Sequence, residues 1–223
     1  MVNNNDKLIE NGTKIIIQIS DMLNKVNTVK LSDLESEKTS LIIVDIINGF
    51  VNEGPLHSIR VERVIPEIVK LSNACDELKI KKIAFADCHT DASPEFEVYP
   101  VHCKKGTNES EIVNEIKNIG GYTLIEKNST NGFLEDAFTN WLLENKSINN
   151  FIVTGDCTDI CVQQFALTLK TWFNKKNIKS RIIVPINTVE TYDLEVHNGD
   201  IMNLFSLYNM MINGIEVVKN IEI

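Results

Sequence analysis

The chain has 223 residues, 43% hydrophobic and 24% charged, an ordinary globular balance and long enough to bury a sizeable core without staples. Its formal net charge of −9, with no Lys/Arg run, excludes a general nucleic-acid binder, which needs a basic surface to displace counterions, and disfavours an anionic membrane surface. The first twenty residues lack a basic start, an apolar stretch and a small-residue cleavage site, and no apolar run approaches the roughly 20 residues that span a bilayer, so a cytoplasmic location is expected.

From the N-terminus, Lys7 to Val29 predicts one amphipathic helix with Leu8, Ile15, Ile16, Ile19, Met22 and Leu23 on a face. This makes residues 1–38 a helical extension, packed on the sheet or on a second copy of the chain, and a homo-oligomer is expected. The main domain, residues 39–223, opens with a strand at Leu41 to Ile46 (LIIVDI). Val61 to Leu78 then has apolar residues at three- and four-residue spacing and predicts a helix. A second strand falls at Lys82 to Asp87 (KIAFAD), a short amphipathic helix at Glu109 to Ile119, and a third strand at Tyr122 to Lys127 (YTLIEK). A helix over Phe133 to Leu143, a strand at Asn150 to Gly155 and a helix over Cys161 to Phe173 follow. The last elements are a strand at Arg181 to Ile186, a helix over Asp200 to Met211 and a weaker strand at Gly214 to Lys219.

Most of the strand runs are continuously apolar rather than alternating, as in strands covered on both faces. Strands alternating with helices predict βαβ units. The expected fold is therefore α/β, three-layer and doubly wound: a six-stranded, mostly parallel sheet with helices on both faces.

In open α/β sheets the site lies beyond the carboxyl ends of the strands. That rule draws together Asp45, Asp87, Lys127 and the segment from Gly155 to Cys161. Asp45 interrupts an apolar strand, where a carboxylate is costly unless paired. It is either a structural cap or ion pair, or a general base. Lys127 is either solvated or a buried charge that favours a thiolate and a developing oxyanion. The five cysteines, Cys75, Cys88, Cys103, Cys157 and Cys161, are odd in number and scattered, against a disulfide framework. Cys161 is predicted at a helix N-terminus, where the dipole and free N–H groups stabilise a thiolate. Backbone N–H groups of the same turn are suited to an oxyanion hole. Cys157 reads as a small turn residue, and His57 and His197 as ordinary surface or loop residues.

DIINGF at Asp45 to Phe50 and GDCTDICV at Gly155 to Val162 resemble the signatures of the isochorismatase-like cysteine hydrolases, and the position of Lys127 fits the same pattern. The resemblance runs from about Leu41 to the C-terminus. It implies a strand order of 3-2-1-4-5-6 and a catalytic triad of Asp45, Lys127 and Cys161. It also implies a cis peptide at Asp156–Cys157, with the backbone N–H groups of Cys157 and Cys161 as the oxyanion hole. The family usually has small apolar residues where this chain has Asp156 and Cys157.

A second constellation is DCH at Asp87 to His89 followed by YPVHC at Tyr99 to Cys103. Asp and His side chains are good ligands for a divalent metal, zinc especially. The run YPVHC-x-x-GT resembles the WPxHC-x-x-GT segment of nicotinamidases, and by that resemblance Asp87, His89 and His102 bind the metal. Some nicotinamidases have another histidine six residues after the first, and Glu95 stands there in this chain as a further ligand or a holder of bound water. Tyr99 replaces the usual tryptophan and is able to stack on an aromatic ring, with Phe50 and Phe133 as candidates for other walls. The resemblance thus implies a metal-dependent amidohydrolase acting on a small aromatic amide, with nicotinamide the first choice and another amide or N-carbamoyl compound the second.

Overall fold

The apolar runs stack as neighbouring strands of one parallel sheet in the computed structural model, which describes residues 5–223. In chain order the strands are β1 (Val29–Lys30), β2 (Thr39–Val44), β3 (Lys81–Asp87), β4 (Tyr122–Lys127), β5 (Asn150–Asp156), β6 (Arg181–Pro185), β7 (Val189–Glu190), β8 (Glu216–Val218) and β9 (Ile221–Glu222). The helices are α1 (Asn5–Leu23), α2 (Asn48–Val51), α3 (Ile59–Glu62), α4 (Ile65–Glu77), α5 (Asn114–Lys117), α6 (Asp136–Glu144), α7 (Gln163–Lys175) and α8 (Gly199–Ile212). The main sheet runs β4-β3-β2-β5-β6-β8, all pairs parallel, which is the expected 3-2-1-4-5-6 order of its long strands. The two-residue β7 adds a seventh strand beside the end of β5, and β1 pairs with β9 in a separate ribbon.

Alternate residues of β2 feed two cores. Leu41 and Ile43 join Ile68, Leu71 and Cys75 of α4 on one face, and Ile42 and Val44 join Phe138 of α6 with Phe165 and Leu169 of α7 on the other. The period-two alternation of strand side chains makes this division, and a strand flanked by two cores has no polar face to show. Among the described residues no helix is long and apolar enough to cross a membrane.

Several expected helices are shorter, each for a local reason. The run from Val61 to Leu78 splits into α3 and α4 because Pro66, lacking an N–H, starts a helix in its first turn but does not continue one. The run from Glu109 to Ile119 shrinks to α5 because Val113 N–H donates to the Ile46 carbonyl (3.1 Å) and Glu111 accepts from Asn48 N–H (2.9 Å). The first helix stops at Leu23 rather than Val29, since Val29 N–H donates to the Asn220 carbonyl (3.2 Å) and Asn27 accepts from Lys219 (2.8 Å). Phe133 falls in a short 3-10 turn, Gly132–Leu134, ahead of α6.

Gly155 marks the closest approach of β5 to β2. Its φ is +116°, and a Cβ there would lie 1.9 Å from the Val44 carbonyl oxygen. Gly155→Ala is expected to lower the unfolding free energy by about 3 kcal/mol or more, since backbone strain and a clash add. Denaturant unfolding of the purified variant measures it.

Candidate active site

Asp45 follows β2 directly, fully buried and with φ +53°, a region that non-glycine residues enter at a cost. Its own N–H donates to the Phe85 carbonyl (3.1 Å), and its Oδ1 accepts from Asp87 N–H (3.0 Å). The carboxylate is thereby fixed across the ends of β2 and β3. Lys127 ends β4 in register with Asp87 and is 1% exposed, so it is not a solvated lysine. Its Nζ lies 2.8 Å from Asp45 Oδ2, an ion-pair contact without a well-directed hydrogen bond. The same Nζ donates to Asp87 Oδ1 and to the Ser129 carbonyl (3.2 Å) and stands 3.8 Å from Cys161 Sγ. Three strand ends and the turn after β5 thus converge on one buried ammonium.

Two carboxylates share that single cation, and they divide unequally. Burial pushes the Asp45 carboxyl up to about 7, with Lys127 opposing and Asp87 adding to the rise. Burial acts the same way on Asp87, but Lys127, His102 and His89 outweigh it and hold that carboxyl well below the ordinary range. Burial also drives the Cys161 thiol up against the pull of Lys127. This corrects the expectation of a dipole-stabilised thiolate. Cys161 sits in a buried π-helical turn, Thr158–Val162, ahead of α7 rather than in the open first turn of a helix. The sulfur thus rests as a thiol beside a carboxyl whose own basicity is raised above the ordinary carboxylate range. The Asp156–Cys157 peptide in the same turn is cis.

Asp87 faces both ways. Its Oδ2 is 3.4 Å from His89 Nε2 and 3.8 Å from His102 Nε2, and His89 Nε2 is 3.7 Å from Glu95 Oε2. The donor atoms of Asp87, His89 and His102 lie within 4.8 Å of one another. His102 Nδ1 contacts the Pro100 carbonyl (2.8 Å), a group that only accepts, so Nδ1 donates there and Nε2 is the nitrogen turned toward Asp87. His89 Nε2 and Glu95 Oε2 are buried without hydrogen-bond partners. Unpaired polar atoms are costly in a protein interior, and ligands about 2.1 Å from a shared cation stand roughly 3–3.5 Å apart. Asp87, His89 and His102 therefore form a donor set for a small divalent ion, with Glu95 beside His89. Glu95 Oε1 accepts from Thr130 N–H (2.9 Å), which anchors it.

A small cavity opens onto these groups. Phe50, Leu56, Tyr99, Ile160 and Tyr192 wall it, and Cys157, Cys161, Asp87, His102, Glu95 and Thr130 supply its polar lining. Phe50 and Tyr99 both pack against the His102 ring, with centroids 5.9 and 6.0 Å away. Phe133 does not line the cavity. The turn at Gly132–Leu134 sends its ring into the core, edge-on to Phe138 and Trp172. His57 is a loop residue bonded to the Gly54 carbonyl (2.8 Å), as expected. His197 is not ordinary: it bonds Asp159 (2.9 Å) and stacks on Tyr192. Leu56, Thr130 and Tyr192 carry no sequence signal for the cavity, whereas Ile160 adjoins Cys161 and was within reach of the motif. A larger, more open depression lies where β5 and β6 begin, lined by Lys38, Asn150, Lys170 and Arg181, at the end of the sheet away from Cys161.

Residues 39–211 match the isochorismatase domain family. The chain is 30% identical over 211 residues to nicotinamidase 1 of Arabidopsis thaliana, covering 82% of this chain and 86% of that one. Among solved structures it resembles N-carbamoylsarcosine amidase from Thermoplasma acidophilum (25% identity, TM-score 0.68, 83% of this chain and 98% of that one). It also resembles, in fold, the pyrazinamidase of Pyrococcus horikoshii in complex with zinc (20% identity, TM-score 0.68, 82% of this chain and 99% of that one).

Proposed function

The chain belongs to the isochorismatase domain family of hydrolytic enzymes, and from that premise we propose that it is a metal-dependent cysteine amidohydrolase converting nicotinamide to nicotinate and ammonia. The observation that carries this reading is a cavity lined by Cys161, Asp87 and His102, with Asp45 and Lys127 buried against one another behind Cys161 and His89 completing the donor set beside it. Phe50 and Tyr99 hold the ring. Asp45 accepts the thiol proton of Cys161 as Sγ bonds to the carboxamide carbon. The backbone N–H groups of Cys157 and Cys161 receive the oxyanion, and Lys127 balances the charge. Asp45 returns the proton to the leaving nitrogen, ammonia departs and a thioester remains. Water then adds to the thioester with Asp45 again as base, the C–S bond breaks, Asp45 returns that proton to the Cys161 sulfur and the acid leaves. Splitting one amide hydrolysis into two steps lowers each barrier. Asp87, His89, His102 and Glu95 would hold the metal, which when bound supplies a Lewis-acid anchor for the pyridine nitrogen.

Ammonia release from nicotinamide by the purified protein tests this. Release that is lost on chelation and regained with zinc is the expected result. The likeness to an N-carbamoylsarcosine amidase favours a second reading, in which the same triad cleaves an N-carbamoyl compound. No release from nicotinamide with release from an N-carbamoyl amino acid selects that reading, and metal independence points the same way.

A further inference from the structure

The loop between β7 and α8 is built onto the nucleophile's turn, and nothing in the proposed proton transfers uses it. Tyr192 lines the cavity together with Tyr99, Cys157 and Cys161. Its ring lies flat on His197, with centroids 4.0 Å apart and planes within 6°. His197 Nδ1 contacts the Tyr192 carbonyl (3.0 Å), and its Nε2 contacts Asp159 Oδ2 (2.9 Å). Asp159 belongs to the turn that carries Cys161, and its side chain is only 5% exposed. The loop closes on itself through Leu194 N–H to the His197 carbonyl (3.0 Å) and His197 N–H to the Leu194 carbonyl (2.8 Å). Its far end is tied down as well, where Asp193 Oδ1 accepts from Gly199 N–H (2.7 Å) and Asp193 Oδ2 pairs with Arg60 (3.3 Å).

A flat aromatic face backed by a second ring has little freedom to swing, and the Asp159 contact sets its height relative to Cys161. We propose that Tyr192 is a specificity-determining wall of the pocket, positioned by the His197–Asp159 pair, and that it confines the substrate to carboxamides carried on a single flat aromatic ring. The proposal rests on the amidohydrolase reading. It adds a second aromatic wall to the Phe50 and Tyr99 side, contributed by an element that no motif marks. Burial, together with Cys157 and Tyr99, pushes the Tyr192 hydroxyl up to about 12, so the wall stays uncharged through the neutral range.

The experiment compares Tyr192→Ala, Tyr192→Phe, His197→Ala and His197→Phe. Two readouts are steady-state kinetics on nicotinamide and on a bicyclic quinoline carboxamide. A third is calorimetric binding of nicotinamide in a Cys161→Ala background, which needs no turnover. Tyr192→Ala is expected to raise both KM and Kd for nicotinamide about tenfold, the scale of one lost aromatic pairing plus its contact area, with kcat falling far less. The same variant is expected to gain on the bicyclic amide relative to nicotinamide. Tyr192→Phe, which keeps the ring, shifts KM less than Tyr192→Ala. His197→Ala shifts KM in the same direction, and His197→Phe, which restores a ring behind Tyr192, reverses part of it. An unfolding midpoint for each variant separates this from collapse of the loop. The proposal is overturned if Tyr192→Ala leaves KM, Kd and ring selectivity unchanged, or lowers kcat alone. Failure of the amidohydrolase reading looks different, because the unmutated protein then releases no ammonia from either amide.

Discussion

Cys161→Ala is expected to reduce ammonia release at least about 10⁴-fold while leaving the fold and nicotinamide binding in place, because it removes the atom that forms the thioester in the proposed mechanism. The substitution is mild for the structure. Cys161 is buried where the core under α7 meets the cavity, with Lys127 Nζ 3.8 Å from its sulfur, and alanine removes a single atom there. No buried charge loses its partner, since Lys127 keeps Asp45 and Asp87. Calorimetric binding to the variant, set against a coupled ammonia assay, separates loss of chemistry from loss of the pocket. Turnover close to that of the unmutated protein would remove Cys161 as nucleophile. Attention would then move to Cys157, the other thiol lining the cavity among the described residues. Cys157→Ala is expected to cost far less than Cys161→Ala, since the proposed mechanism uses only the backbone N–H of Cys157, which the substitution retains.

Three of the residues read from the chain share one property: each is a charged group ending an apolar run. Asp45 after LIIV, Asp87 after KIAFA and Lys127 after YTLIE stand out because a buried strand does not tolerate a charge without a reason, and the parallel sheet brings its strand ends to one edge. The sheet order followed from family resemblance, since nothing in the apolar runs specifies which strand lies beside which. Phe133 shows the limit of the reasoning. An aromatic residue shortly after a strand looks the same in sequence whether it faces a cavity or a core. A 3-10 turn decided the matter, packing Gly132 so tightly against Phe85 that a Cβ there would come within 2.7 Å of the ring. Tyr192 and His197 were hidden for the opposite reason. Their loop has no period, and β7 before it is two residues long, so the contacts that matter are with Asp159, distant in sequence. Burial opposes the thiolate expected at Cys161, because a helix-terminus argument counts the dipole but not the desolvation of a buried sulfur.

Lys127→Met is expected to lower the unfolding free energy of the metal-free protein by about 3–5 kcal/mol and to abolish turnover, because it strands buried carboxylates that the ammonium now neutralises. The lysine is fully enclosed, touches both Asp45 and Asp87, and is the cation through which the two acids tolerate one another. Methionine fills similar space with an unbranched chain, so the loss reports charge rather than a cavity. A thermodynamic cycle makes the attribution testable. If stranded charge is the cause, Asp45→Asn and Asp87→Asn in the Lys127→Met background recover a large part of the lost stability, although each alone removes an ion-pair partner of Lys127. If the double and triple variants only add to the damage, Lys127 contributes by packing, and the account of one cation shared between two carboxylates is wrong. Activity returns in none of these variants, since the arrangement that holds Asp45 ready for the Cys161 proton is the arrangement that buries it. The stability given up to keep two acids and one amine out of water is thus tied to the proposed chemistry: an exposed Asp45 would ionise in the ordinary carboxylate range and lose the raised basicity with which it would draw a proton from a thiol.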